Sequence, residues 1–158
     1  MKKCLVAFYS FSGSTLELAL EIADQTGGDI RELVPEKTYA FDYNTAAKEI
    51  RGEIIRGYCP RLERGNESID AFDIIFIGSP NWFKSIAPPV LSFLRSHNFT
   101  GKIIVPFCTH GGGGMGEIEK KIMGECHGTD IRPGLAMESA IDKALVADWL
   151  KEIDLADK

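Results

Sequence analysis

The chain has no Lys or Arg between Lys3 and Arg31. A phosphate bound near its start would have to be held without a cation. The lysine of a Walker-type nucleotide loop is missing there, so ATP or GTP is not implied. Cysteine is sparse: Cys4, Cys59, Cys108 and Cys126 show no C-x-x-C spacing. That pattern predicts no disulfide framework and a reducing compartment, with Cys4 and Cys108 acting as small hydrophobes in buried strands. The three histidines, His97, His110 and His127, make no metal-ligand spacing with each other or with Cys126. There is no G-x-S-x-G, which removes the usual serine-hydrolase signature. No apolar run is long enough to span a bilayer. The apolar start of "MKKCLVAFYSFSGST" is interrupted at Ser10 and runs into loop chemistry, which predicts a first strand rather than a signal peptide. The formal net charge of -5 argues against nucleic acid and anionic membrane partners and predicts a soluble, cytoplasmic protein.

At 158 residues, the chain fits one domain, 1–158, around a single core. "CLVAFYS" (4–10) reads as a strand. Leu16, Ala19, Leu20 and Ala23 then recur with the spacing of a helix face, and Gly27–Gly28 stops that helix. "DIRELV" (29–34) reads as an edge strand, and 44–55 as a helix with Ala47, Ile50 and Ile54 on one side. Residues 56–70 look like an exposed connection. "AFDIIFIGSP" (71–80) and "GKIIVPFCTH" (101–110) are apolar enough to be buried on both faces. Helices are expected at 87–97, opened by proline, at 116–125 and at 141–153, with a last strand at 130–137. Alternating strands and helices predict an α/β fold with a five-stranded, doubly wound parallel sheet. Such sheets bind ligands at the carboxyl ends of their strands.

Three unusual segments follow predicted strands. "SFSGST" (10–15) opens a helix, where unpaired N–H groups and the positive end of the helix dipole favour an anion. Ser10, Ser12, Ser14 and Thr15 add neutral hydroxyl donors, and Gly13 permits a sharp turn. The same residues also make ordinary turns and caps. "SPNWFKS" (79–85) places Trp82 and Phe83 at the end of a buried strand. Either a planar ring covers them by stacking, or they pack beneath the next helix or at a dimer interface. "THGGGGMG" (109–116) has four consecutive glycines. That composition suits a backbone wrapped closely around a ligand edge, with a surface loop as the alternative. Its literal G-x-G-x-x-G, through Gly111, Gly113 and Gly116, stands after the fourth strand rather than the first, so it is not a dinucleotide fingerprint.

A phosphate, a linker and a flat heteroaromatic ring would satisfy all three loops, as flavin mononucleotide (FMN) does. On these residues the sequence resembles the flavodoxin family. "SFSGST" matches the family's [ST]-x-[ST]-G-x-[ST] phosphate loop, and "GSPNWFKSIAPP" (78–89) and "PFCTHGGGGMG" (106–116) are similar to its other two loops. "FDII" (72–75) leads into the third strand as the family's pattern does. Asn81, Phe83 and Lys84 depart from the residues common there. The resemblance covers essentially the whole chain and implies a three-layer flavodoxin-like sandwich of strand order 2-1-3-4-5. It implies that Ser10, Ser12, Gly13, Ser14 and Thr15, with the Phe11 backbone, hold the phosphate. Pro80, Asn81, Trp82 and Phe83 would flank the isoalloxazine, with Trp82 stacked on it, and Thr109, His110, Gly111, Gly112, Gly113 and Gly116 would line its other edge. An apolar stack on a negatively charged protein would disfavour added negative charge on the ring and set a low potential. The implied function is a low-potential electron carrier working between a reductase or ferredoxin-type donor and an acceptor enzyme. The alternatives are an NAD(P)H-dependent oxidoreductase acting on quinones or similar acceptors, and a flavin-binding sensor. No nicotinamide-binding motif stands out, which favours the carrier, while the absence of a dense acidic patch beside the loops counts against it.

Overall fold

The inner strands are almost continuously apolar, so each of them must bury both faces. The computed structural model, which describes residues 2–138 and 140–155, meets that demand with a parallel sheet covered by helices on both sides. The strands are β1 (Cys4–Phe8), β2 (Asp29–Glu32), β3 (Ile74–Pro80), β4 (Ile103–Thr109), β5 (Asp130–Ile131) and β6 (Leu135–Met137). The helices are α1 (Ser14–Thr26), α2 (Tyr43–Arg56), α3 (Pro88–Ser96), α4 (Ile118–Glu125) and α5 (Lys143–Glu152). Sheet order is β2-β1-β3-β4-β5, as expected, and β6 also pairs with β4. The expected single domain runs over 1–158, of which residues 1, 139 and 156–158 lie outside the described ones. Among the described residues no helix is long and apolar enough to cross a membrane.

Two cores result from the strand alternation. Val6, Phe8, Ile74, Phe76, Val105 and Phe107 face α1 and α5, meeting Leu18, Ile22, Val146 and Trp149. Leu5, Ala7, Ile75, Ile77, Ile104 and Cys108 face the other way, against Ile50 of α2, Val90 and Phe93 of α3, and Ile118 and Ile122 of α4. Burial of a large aliphatic or aromatic side chain contributes roughly 1.5–3 kcal/mol, so the two layers dominate the stability of the sheet.

Two expectations need correction, and a third is refined. The α1 face turned inward is Thr15, Leu18, Ala19 and Ile22, with Leu20 exposed. Leu16 and Ala23 of the expected face are half-buried at the margin of that core, and Ala19 is common to both faces. The last strand is not continuous over 130–137. Arg132 N–H still donates to Ile104 O, but Pro133 has no N–H, and Gly134 sends its amide to Glu119 Oε1 at 2.7 Å. A side chain at Gly134 would stand 2.6 Å from Pro106 O, so the strand passes β4 there without room for one. Pairing resumes at Leu135↔Phe107. Finally, the 56–70 connection is exposed over most of its length, as expected, but it is anchored at several points. Pro60, Leu62 and Ile69 are buried, Leu62 pairs with Pro35, and Arg31 donates to Glu67 O and Ser68 O.

Gly78 of β3 is opposite Phe107 of β4, whose ring lies across it. An added Cβ would meet Phe107 Cζ at 2.1 Å, with strand backbone on both sides. Gly78→Ala should lower stability by about 1–3 kcal/mol or more. Thermal unfolding checks it, and Phe107→Leu in the same chain should recover part of the loss.

Candidate functional site

Parallel strands all end on one edge of the sheet, and the loops after β1, β3 and β4 meet there. Backbone bonds carry the ladder past the strand ends: Tyr9 N–H donates to Gly78 O (3.1 Å), Asn81 N–H to Thr109 O (2.8 Å) and His110 N–H to Met137 O (3.1 Å). Thr15 and Thr109, both buried, share a hydroxyl–hydroxyl bond of 2.7 Å that joins the start of α1 to the end of β4.

In the first loop, Ser10 turns inward. Its Oγ accepts from Gly13 N–H and Leu16 N–H, each at 3.2 Å. Gly13 caps α1 at φ +104°, a left-handed conformation that favours glycine. Among the described residues, nothing accepts from the amides of Phe11, Ser12, Ser14 and Thr15. Ser12 is exposed, and among the described residues no hydrogen bond occupies its hydroxyl. The loop therefore offers a row of unmet neutral donors at a helix start, which is anion-binding chemistry without a cation.

The second loop is a two-residue hairpin. Trp82 and Ser85 exchange N–H···O bonds of 3.1 and 2.9 Å. Phe83 and Lys84 between them take φ values of +55° and +67°. Such turns fit the strand twist but normally use Asn-Gly. Asn81 holds the strained pair in place: its Oδ1 accepts from Lys84 N–H and its Nδ2 donates to Gly114 O, both at 2.8 Å. Lys84 O accepts from Glu117 N–H at 2.8 Å, so the second and third loops are stitched together. Both ends of the Asn81 amide are used internally, which makes it a bracket between loops. The sequence hinted at this only by placing an amide where bulkier residues are usual.

The sequence reading of Trp82 needs correction in one respect. Trp82 is not an exposed platform: it is 5% exposed and belongs to the core on the α3 and α4 side. Tyr43, the first residue of α2, stacks on it with centroids 5.4 Å apart and planes at 22°. Phe11 meets it edge-on at 5.6 Å. Its Nε1 is buried with no partner among the described residues, an omission that costs about 1–3 kcal/mol. Tyr43 was not singled out from the sequence; its position at the start of a helix gave no sign of reaching the third-strand loop. Phe83 is the aromatic turned outward, 50% exposed, with the Arg51 guanidinium 5.7 Å from its centroid. Pro80 closes β3, and the Ser79 hydroxyl beside it donates to Pro80 O and accepts from Ala87 N–H.

In the third loop, Gly111, Gly112 and Gly113 are exposed, and Gly112, Gly114 and Gly116 have φ of +130°, +67° and +58°. A side chain at Gly116 would press on Lys84 O at 3.0 Å, so this glycine is needed for the loops to touch. His110 Nδ1 accepts from Gly112 N–H at 3.0 Å, which leaves Nε2 carrying the proton. Beneath, the Cys108 thiol donates to Gly114 O, and burial pushes its pKa up to about 12, so it is packing rather than a nucleophile. Among the described residues no group of His, Cys, Asp and Glu could hold a metal.

Beside the first loop, a cavity of about 430 Å³ is lined by Tyr9, Phe11, Ser12, Leu33, Tyr39 and Phe41, among others. Tyr39 O–H donates to Glu53 at 2.6 Å. Burial raises the pKa of Tyr9, Tyr39 and Glu53, the Tyr39 shift being reinforced by its bond to Glu53.

The hairpin strain and the Asn81 bonds are of similar size: a non-glycine residue in the left-handed region costs roughly 1–2 kcal/mol, and each hydrogen bond contributes about 0.5–1.5. Asn81→Ala should therefore lose about 1–3 kcal/mol of stability, whereas Lys84→Gly, which relieves strain at an exposed position, should gain roughly 0.5–1. Urea unfolding of the two variants checks both signs.

Comparison with known proteins agrees with this arrangement. A family model described as flavodoxin matches residues 3–153. A structure from Bacteroides eggerthii, described as that of a flavoprotein by assignment, is 26% identical with a TM-score of 0.88, covering 99% of this chain and 100% of that one. A second, from Bacteroides uniformis and described in the same way, is 28% identical with a TM-score of 0.86, covering 95% and 98%. A flavoprotein from Lactobacillus acidophilus, solved in complex with FMN, is 24% identical with a TM-score of 0.74, covering 94% and 99%. A search of curated proteins finds no match.

Proposed function

From the premise that this chain belongs to the flavodoxin family, we propose that it binds FMN and serves as a low-potential electron carrier between redox proteins. The observation that carries the cofactor is the set of unmet amides of Phe11, Ser12, Ser14 and Thr15, at a helix start and with no cation on the loop. The phosphate would lie against those amides and the Ser12 hydroxyl, with Gly13 allowing close approach. Thr15 would contribute its amide, since its hydroxyl is bonded to Thr109. The isoalloxazine would lie between the Asn81–Phe83 hairpin and the Thr109–Gly116 loop, with His110 Nε2–H and the exposed glycine amides as donors to its polar edge. When bound, the flavin supplies the redox chemistry.

The chain's own part is to position the ring and tune it. Pinned loops hold the donors in place, and the apolar hairpin excludes water from one side. A net charge of -5 on the protein opposes further negative charge near the ring, which favours a low potential. The exposed Phe83 and glycine loop would leave part of the ring at the surface, as electron transfer by docking requires. The other reading is an oxidoreductase that takes hydride from NAD(P)H, with His110 Nε2–H as a proton donor beside the ring.

Purified protein should release FMN on chromatography, or take it up when FMN is added. Ser12→Ala should weaken FMN by roughly tenfold or more, the loss of a bond to a charged group being worth ~1.5–3 kcal/mol, and riboflavin much less. Equal losses for the two ligands in a titration contradict the phosphate assignment, and failure to bind either overturns the cofactor. Slow direct oxidation of NADPH with fast reduction by a flavoprotein reductase supports the carrier. Saturable turnover of NAD(P)H with a quinone, near the roughly 10 per second typical of enzymes, replaces it with the oxidoreductase.

A further inference from the structure

Tyr43 takes the position on Trp82 that a stacked ligand ring would need. Their centroids are 5.4 Å apart at 22°, too close for a third ring between them. With Phe11 on its edge, Trp82 is 5% exposed, so no open face remains for a ring. The two partners are not equally fixed. The Trp82 backbone is bonded both ways to Ser85, and its hairpin is bracketed by Asn81. Tyr43 is 62% exposed, and among the described residues no hydrogen bond holds its hydroxyl. The start of α2 is secured without it: Asp42 Oδ2 accepts from Thr45 N–H at 2.9 Å and from Thr45 O–H at 2.7 Å. Besides Trp82 the Tyr43 ring meets Phe11 edge-on at 6.3 Å, and it can leave both contacts while the helix cap stays intact.

We infer that Tyr43 is a specificity-determining residue of the flavin site: its ring is a displaceable cover on Trp82, and a planar ligand binds by replacing it. The inference rests on the FMN reading above. Tyr43 then sets a threshold. A ring with more stacking area than a phenol, such as the three-ring isoalloxazine, displaces it, and a single small ring does not. Phosphate contacts play no part in this selection, so riboflavin and FMN are affected alike by changes at Tyr43.

The test is a fluorescence titration of full-length wild type, Tyr43→Ala and Tyr43→Trp with riboflavin and with FMN, together with stopped-flow association rates. Removing the competing ring should tighten both flavins by about two- to tenfold, the equivalent of one aromatic pair, and speed association. The larger indole should weaken both and slow association. Tighter binding by Ala and weaker binding by Trp, with equal factors for the two flavins, supports the inference. Weaker or unchanged binding by Tyr43→Ala, with wild-type binding intact, overturns it and makes Tyr43 a fixed part of an aromatic cluster, leaving the FMN reading standing. If none of the three proteins binds either flavin, the FMN reading falls and this inference falls with it.

Discussion

The site depends on one buried bond, the 2.7 Å contact between the Thr15 and Thr109 hydroxyls. It joins the first turn of α1 to the last residue of β4, across the end of β3. Both hydroxyls are out of water, and each left alone would be an unmet buried group costing about 1–3 kcal/mol. The bond therefore fixes how far apart the first and third loops can stand. Backbone bonds complete the frame, since Tyr9 reaches β3, Asn81 reaches Thr109 and His110 reaches Met137. Donors from loops distant in sequence are thereby held in one place before any ligand arrives, and less ordering cost falls on binding.

Within that frame the hairpin at Trp82–Ser85 is under strain and the glycine loop is not. Phe83 and Lys84 occupy left-handed conformations that glycine would adopt freely, whereas the third loop meets the same demand with Gly112, Gly114 and Gly116. The difference lies in what each must present. A glycine at 83 would remove the aromatic that the turn holds 50% exposed. The glycine loop needs only backbone, and at Gly116 any Cβ would push against Lys84 O. Strain on one side and absence of side chains on the other meet at Asn81, whose amide bonds to both loops.

The parallel sheet and the three unusual loops after its strands were legible because they depend on period and chain order, while the strand order came with the family resemblance. Runs such as "IIFIG" and "IIVPF" can be buried on both faces only in a central parallel strand. The contents of the loops were less legible, because they depend on contacts made across the fold. Trp82 reads as exposed until Tyr43, 39 positions earlier in the sequence, is placed on it by α2. The serines of "SFSGST" look equivalent, yet Ser10 turns inward to cap Gly13 and Leu16 while Ser12 stays exposed. The break at Pro133–Gly134 was partly visible in the proline, but the carboxylate that takes the Gly134 amide lies 15 residues away on α4. The inward face of α1 was partly misplaced, with Leu20 exposed and Leu18 and Ile22 buried, because two apolar stripes share its period and only the sheet selects between them.

A phosphate site without a cation also places a demand on its surroundings. A lysine on a flexible stem can follow a phosphate, but backbone amides cannot, so neutral recognition works only if the loop is rigid in the right shape. Ser10 supplies that rigidity from inside by taking two amide donors of the turn, and Thr15 supplies it from below through Thr109. The hydroxyls that look like ligands in the sequence thus divide into two kinds. Those bonded within the fold shape the loop, and those left over, with the amides of Phe11, Ser12, Ser14 and Thr15, are the ones the proposed phosphate would meet. Without a cation to offset it, a bound phosphate adds its charge to a protein already at -5. The resulting field opposes further negative charge on anything stacked nearby, so the absence of Lys and Arg between Lys3 and Arg31 bears on redox potential as well as on phosphate affinity.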